Sequence, residues 1–109
     1  MVYKIKGQFI LNEDCLRSII DRILKRPDNE NVIVEIDHSP YKSSKSLYVR
    51  FYIGDCTTSL RISDHKCKGY TRQIIVGETT GIANVCYKIE CAINDLKKKR
   101  LYGLLEGVL

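Results

Sequence analysis

Apolar residues follow two rhythms along this chain, and the switches between them mark out its elements. From Ser46 to His65, SLYVRFYIGDCTTSLRISDH, apolar and polar positions alternate, the period of a half-buried strand. Gly54-Asp55 interrupts the alternation. Glycine in the first central position suits a two-residue type II′ hairpin loop. That loop dictates a register, with Ile53 opposite Cys56, Phe51 opposite Thr58, Val49 opposite Leu60 and Leu47 opposite Ile62. These pairs make a mostly apolar wall. Tyr52 with Thr57, Arg50 with Ser59, Tyr48 with Arg61 and Ser46 with Ser63 share the other face, because successive side chains point to opposite sides of a strand.

The helical rhythm appears twice. Cys15, Leu16, Ile19, Ile20, Ile23 and Leu24 form a one-sided stripe from Asn12, a predicted N-cap, to about Arg26. Glu13 and Asp14 suit the positive end of the helix dipole, and Pro27 stops the helix. Ile82, Val85, Cys86, Ile89, Ala92, Ile93 and Leu96 make a second stripe, capped by Thr79 or Thr80 and interrupted at Gly103. Val2 to Ile10 alternates loosely and predicts one short strand weakened by Gly7. Val32 to Asp37 predicts a strand with Val32, Val34 and Ile36 on one face and Ile33, Glu35 and Asp37 on the other, and Gln73 to Val76 a shorter one. His38 to Lys45 is a polar loop. The order implies an α+β domain over residues 1–109: an antiparallel sheet of about four to five strands, with two helices packed on one face. The Arg/Tyr face then looks outward.

Composition narrows the class. At 109 residues, 44% hydrophobic and 28% charged, the chain is long enough for one two-layer core and is not disordered in character. A net charge of +5 favours an anionic partner: nucleic acid, a nucleotide or an acidic protein surface. Part of that excess is Lys97-Lys98-Lys99-Arg100, also readable as the solvated basic end of a helix. Five cysteines, an odd number with no CxxC, point to reduced thiols rather than a disulfide framework. MVYKIKGQF has no long apolar h-region and no apolar run approaches membrane-spanning length, so a cytoplasmic protein is expected. The apolar tail Leu101 to Leu109 needs cover, from its own domain or a second copy, so a homo-oligomer is expected.

The outward face holds the best candidate chemistry. Tyr48 opposite Arg61 predicts a cross-strand cation–π pair. With Arg50 and Tyr52 it offers rings for stacking and guanidinium forks for phosphate. Ser63, Asp64 and His65 end the second strand beside a basic loop, Lys66 to Arg72, that contains Lys68 and one aromatic residue. The bland reading is an ordinary solvated sheet face with a plain turn at its end. Acid–base or nucleophilic roles for Asp37-His38, Asp64-His65, Ser63 or Cys67 lack a third partner in the sequence, so no enzyme is expected. His65-x-Cys67 is too close for a zinc pair, and no P-loop or GxGxxG occurs, so neither metal nor cofactor is expected.

Ser44-Lys45-Ser46-Leu47-Tyr48-Val49 followed by Leu60-Arg61-Ile62-Ser63-Asp64-His65 resembles short proteins of phages and prophages of low-GC bacteria. The resemblance covers this hairpin and supplies no catalytic residues. It implies an anti-defence protein, in the bacterial host cytoplasm, that works by binding. Such proteins sequester a nucleotide immune signal or, like anti-CRISPR proteins, block an effector complex. The helix, three strands and helix over residues 12 to 98 also resemble a double-stranded-RNA-binding domain. That family carries its lysines at the start of the second helix, where this chain has Thr79-Thr80-Gly81-Ile82. The leading expectation is sequestration of an anionic nucleotide by Tyr48, Arg50, Arg61, Ser63, Asp64, His65, Lys68 and Arg72. The alternatives are an effector-blocking protein and a small nucleic-acid-binding module.

Overall fold

A computed structural model describes residues 2–5, 9–38, 46–77 and 80–108. In chain order the elements are β1 (Val2–Ile5), β2 (Phe9–Asn12), α1 (Glu13–Leu24), a 3-10 turn (Pro27–Asn29), β3 (Ile33–His38), β4 (Leu47–Ile53), β5 (Cys56–Ser63), β6 (Gln73–Ile75) and α2 (Ile82–Val108). The main sheet has four strands in the order β3-β4-β5-β6. The fold is α+β, and the sheet is mostly antiparallel.

The β4–β5 hairpin has the register its turn dictates, from Ile53 opposite Cys56 to Leu47 opposite Ile62. Gly54 takes φ +57°, the left-handed conformation that such a loop requires and glycine adopts without strain. β3 adds antiparallel to β4. β6 pairs with β5 in parallel, Arg61 opposite Gln73 and Ser63 opposite Ile75. The segment between them therefore doubles back along the sheet instead of making a simple hairpin. The expected single N-terminal strand is two strands, β1 and β2, paired with each other as a separate antiparallel ribbon. Gly7 lies outside the described residues, as does most of the loop expected from His38 to Lys45.

Side chains sort as the alternation requires. Leu47, Val49, Phe51, Leu60 and Ile62 are buried. They share one core with Leu16, Ile20 and Ile23 of α1 and with Val85, Ile89, Ala92, Ile93 and Leu96 of α2. Both helices thus cover the same side of the sheet. Asn12 caps α1, its Oδ1 accepting from the Cys15 amide at 2.8 Å. Arg26 is extended ahead of Pro27, as a residue before proline prefers.

α2 departs from expectation at both ends. The Thr80 hydroxyl accepts from the Gly77 amide at 2.9 Å, closing the turn before the helix instead of capping it. The Gly81 carbonyl accepts the first helical bonds, from Asn84 and Val85. Thr79 lies outside the described residues. The helix runs through Gly103 to Val108. Glycine inside a helix costs about 1 kcal/mol, too little to end a helix already anchored on a sheet. Lys97 to Arg100 is consequently mid-helix. Lys97 pairs with Asp28 at 3.2 Å and holds that carboxyl below its ordinary range. Lys99 Nζ donates to the Thr57 carbonyl.

The five cysteines are free and half-buried. Cys15 and Cys56 pack against the core, as expected. Burial pushes the Cys86 thiol up from its ordinary range. No described helix is long and apolar enough to cross a membrane.

Candidate functional site

The free side of the sheet carries alternate residues of all four strands. Tyr48, Arg50 and Tyr52 of β4 lie there, as expected, and Arg50 is exposed. β3 brings acids beside them: Glu35 faces Arg50 and Asp37 faces Tyr48. Arg50 Nη1 donates to the Tyr52 hydroxyl at 3.3 Å, and that hydroxyl donates to Glu35 Oε2 at 3.1 Å. The Tyr52 hydroxyl first, then Asp37 and Glu35, stabilise the charged guanidinium and raise its pKa. The middle of this face is therefore a solvated mixed-charge row and not a cationic one.

The far end of the hairpin differs from expectation. Arg61 points to the outward side, yet only 2% of it is exposed, and Ser63 is fully buried. The loop from Lys66 to Arg72 covers them. Its Tyr70 ring centroid lies 6.0 Å from the Arg61 guanidinium carbon and 5.6 Å from the Tyr48 ring centroid. The cation–π contact of Arg61 is thus with Tyr70, while Tyr48 packs against Tyr70 at a tilt. Alternation placed Arg61 on this side, but it carried no information about a loop arriving from later in the chain.

Gln73 clasps that loop. Its Oε1 accepts from Arg61 Nη1 at 3.1 Å and from the Cys67 amide at 3.0 Å. Its Nε2 donates to the Cys67 and Tyr70 carbonyls. One primary amide thereby joins β6, the buried guanidinium and both ends of the loop's turn. Gly69, at φ +95°, makes that turn. No local pattern marks Gln73, because its role exists only once β6 lies beside β5. Tyr70 left one signal, as the single aromatic residue in a basic loop.

Among the described residues, the hydrogen bonds of Arg61 go to uncharged acceptors. Nη1 also donates to the His65 carbonyl at 2.7 Å, and Nη2 donates to Ser46 Oγ at 3.2 Å. Nη2 meets His65 Nε2 at 3.1 Å. A guanidinium can only donate, so Nε2 accepts, and in the neutral ring Nδ1 carries the hydrogen. His65 Nδ1 lies 2.9 Å from Asp64 Oδ1. A second route runs from Ser46 Oγ to Ser63 Oγ at 2.8 Å, with Ser63 Oγ 3.5 Å from Asp64 Oδ1. Both chains lead from the buried cation to the Asp64 carboxylate. Among the described residues the Arg61 Nε is buried without a partner.

Ser63, Asp64 and His65 do come together, but not as a proton relay. Ser63 Oγ and Asp64 Oδ1 both approach His65 Nδ1, and the other ring nitrogen faces Arg61. Nucleophile activation needs the acid and the hydroxyl on opposite nitrogens. His38 is engaged elsewhere, 2.8 Å from Glu13. Arg72 turns to the helix side and pairs with Asp95 of α2, away from the other candidates. Lys68 is exposed on the loop. Among the described residues no cluster of three metal-ligating side chains occurs. What remains accessible is a corner of Tyr48, Tyr70, Lys68 and the rim residues Asp64 and His65, above a buried guanidinium.

Compared with family models, curated proteins and solved structures, the chain matches none of them.

Proposed function

We propose that this protein acts by binding, and that its ligand is an anionic nucleotide bound at the Tyr48–Tyr70 corner. The observation that carries the reading is the Arg61 guanidinium, buried beneath the Tyr70 ring, which itself packs on Tyr48, on the side of the sheet that neither described helix covers. A buried cation whose direct hydrogen bonds, among the described residues, go to neutral groups sustains a positive potential at the surface above it. Lys66 and Lys68 lie on the same loop and add to that potential. A base stacks on Tyr70, which is 41% exposed, and its phosphate meets Lys68, on the side of the corner away from the Asp64 carboxylate. The hairpin's resemblance to phage and prophage proteins supports an anti-defence setting, in which the bound nucleotide is an immune signal of the bacterial host. Arg61 and Ser63 support the corner from below and do not touch the ligand.

Calorimetry against cyclic nucleotides, short single-stranded oligonucleotides and CRISPR effector complexes tests this. The expected result is heat with a nucleotide, weakened about tenfold or more by Tyr70→Ala and also weakened by Lys68→Ala. Tight binding to an effector with no nucleotide heat would sink the proposal and favour the blocking protein. Binding that strengthens with oligonucleotide length and falls steeply with salt would make it a nucleic-acid module.

A further inference from the structure

α2 is 27 residues long, about 40 Å of helix at 1.5 Å per residue. Its last fully buried core residue is Leu96. Lys99 bonds the hairpin at Thr57, and Arg100 lies against the turn at Gly54. Beyond that point the helix leaves the sheet. Leu101, Tyr102, Leu104 and Leu105 are about half or more exposed. A pocket of about 250 Å³, lined by Val32, Ile53, Leu101 and Leu104 among others, lies open where the tail passes the sheet. The tail has therefore not folded back to fill its own domain.

Charge selects the occupant. From Lys97 to Arg100 the helix carries four consecutive cations, and from Leu101 onward it carries one charged side chain, Glu106. Lys97, Lys99 and Arg100 are held against their own domain, and Lys98 is exposed. A parallel pair of such helices would set Lys98 against Lys98, whereas an antiparallel pair lays each apolar, weakly acidic end beside Lys98 of the other. Lys98, Leu101, Tyr102 and Leu105 share one helix face by their spacing. With a two-fold axis at Tyr102, position 98 of one copy lies opposite position 106 of the other, equally distant along the chain. A foreign partner needs a matching surface of its own, whereas this segment is self-complementary.

We infer that the projecting end of α2 is the interface of a homodimer, two copies crossing antiparallel about Tyr102. The interface is isologous, so closure at two copies follows from its symmetry. It uses none of the residues of the nucleotide corner.

Sedimentation of the full chain from micromolar to hundreds of micromolar concentration tests the inference. The intact chain is expected to dimerise, and Leu105→Glu to abolish the dimer with an unchanged far-UV circular dichroism spectrum. Tyr102→Glu is the second variant, should Leu105→Glu alter the fold. Lys98→Glu alone is expected to weaken the dimer about tenfold, and Lys98→Glu with Glu106→Lys to restore it. A chain that is monomeric throughout overturns the inference, as does a dimer indifferent to both apolar variants. Failure of the charge exchange to restore association overturns the antiparallel geometry.

Discussion

Arg61 is the residue on which the candidate site depends. Its guanidinium ties Ser46, His65 and Gln73 together and supports Tyr70. Replacing it with alanine removes the donor shared by these groups and the cation under Tyr70, and releases the loop above. Arg61→Ala is expected to cost about 2–3 kcal/mol, because each buried polar group left unsatisfied loses its desolvation compensation. Urea denaturation measures this, and a loss below about 0.5 kcal/mol, the range of ordinary surface substitutions, would contradict the geometry. The same logic makes Arg61 a poor probe of ligand binding, since stability and affinity would fall together. Tyr70 and Lys68 are exposed and separate the two.

At the scale of elements, the hairpin turn and the long helix depend on one another. Gly54 holds φ +57°, and a Cβ added there would meet Arg100 Nη1 at 2.8 Å. That contact is with the mobile end of a long side chain, which can swing aside. The backbone cannot, so the strain falls on φ. Gly54→Ala is expected to destabilise by about 1–2 kcal/mol, and Gly54→Asn by less, because asparagine tolerates the left-handed region. Equilibrium unfolding gives the magnitude. Hydrogen exchange should place the loosening in the amides of β4 and β5 nearest the turn. Equal costs for alanine and asparagine would mean that side-chain volume, and not φ, governs the site.

For the whole molecule, one core joins the sheet to both helices, and Phe51 is its largest fully buried side chain. Phe51→Ala removes that bulk at the hairpin's centre and is expected to cost about 3–5 kcal/mol. Domains of this size are stable by about 5–15 kcal/mol in total, so the loss is a large fraction. Thermal melting should fall by about 10 °C or more. A smaller fall would show that the two helices do not share one cooperative core with the sheet.

The hairpin register, the apolar wall and the limits of α1 were legible in the amino-acid sequence because each depends on neighbours. A turn glycine, a period of two, the Asn12 cap and the Pro27 stop act within a few residues of where they stand. The same alternation correctly sent Tyr48, Arg50 and Tyr52 outward. It could not tell outward from exposed, which is why Arg61 and Ser63 were expected open and are buried. Their cover comes from Tyr70 and Gln73, delivered by a parallel strand whose direction no local pattern encodes. Glu35 and Asp37 likewise reached Arg50 only through the pairing of β3 with β4. The N-terminal strand became a ribbon, and α2 continued past Gly103, as the sequence pattern had not indicated. Local sterics and periodicity settle what a segment is. Contacts between segments far apart in the chain decide what each side chain meets, and the corner above Arg61 consists of such contacts.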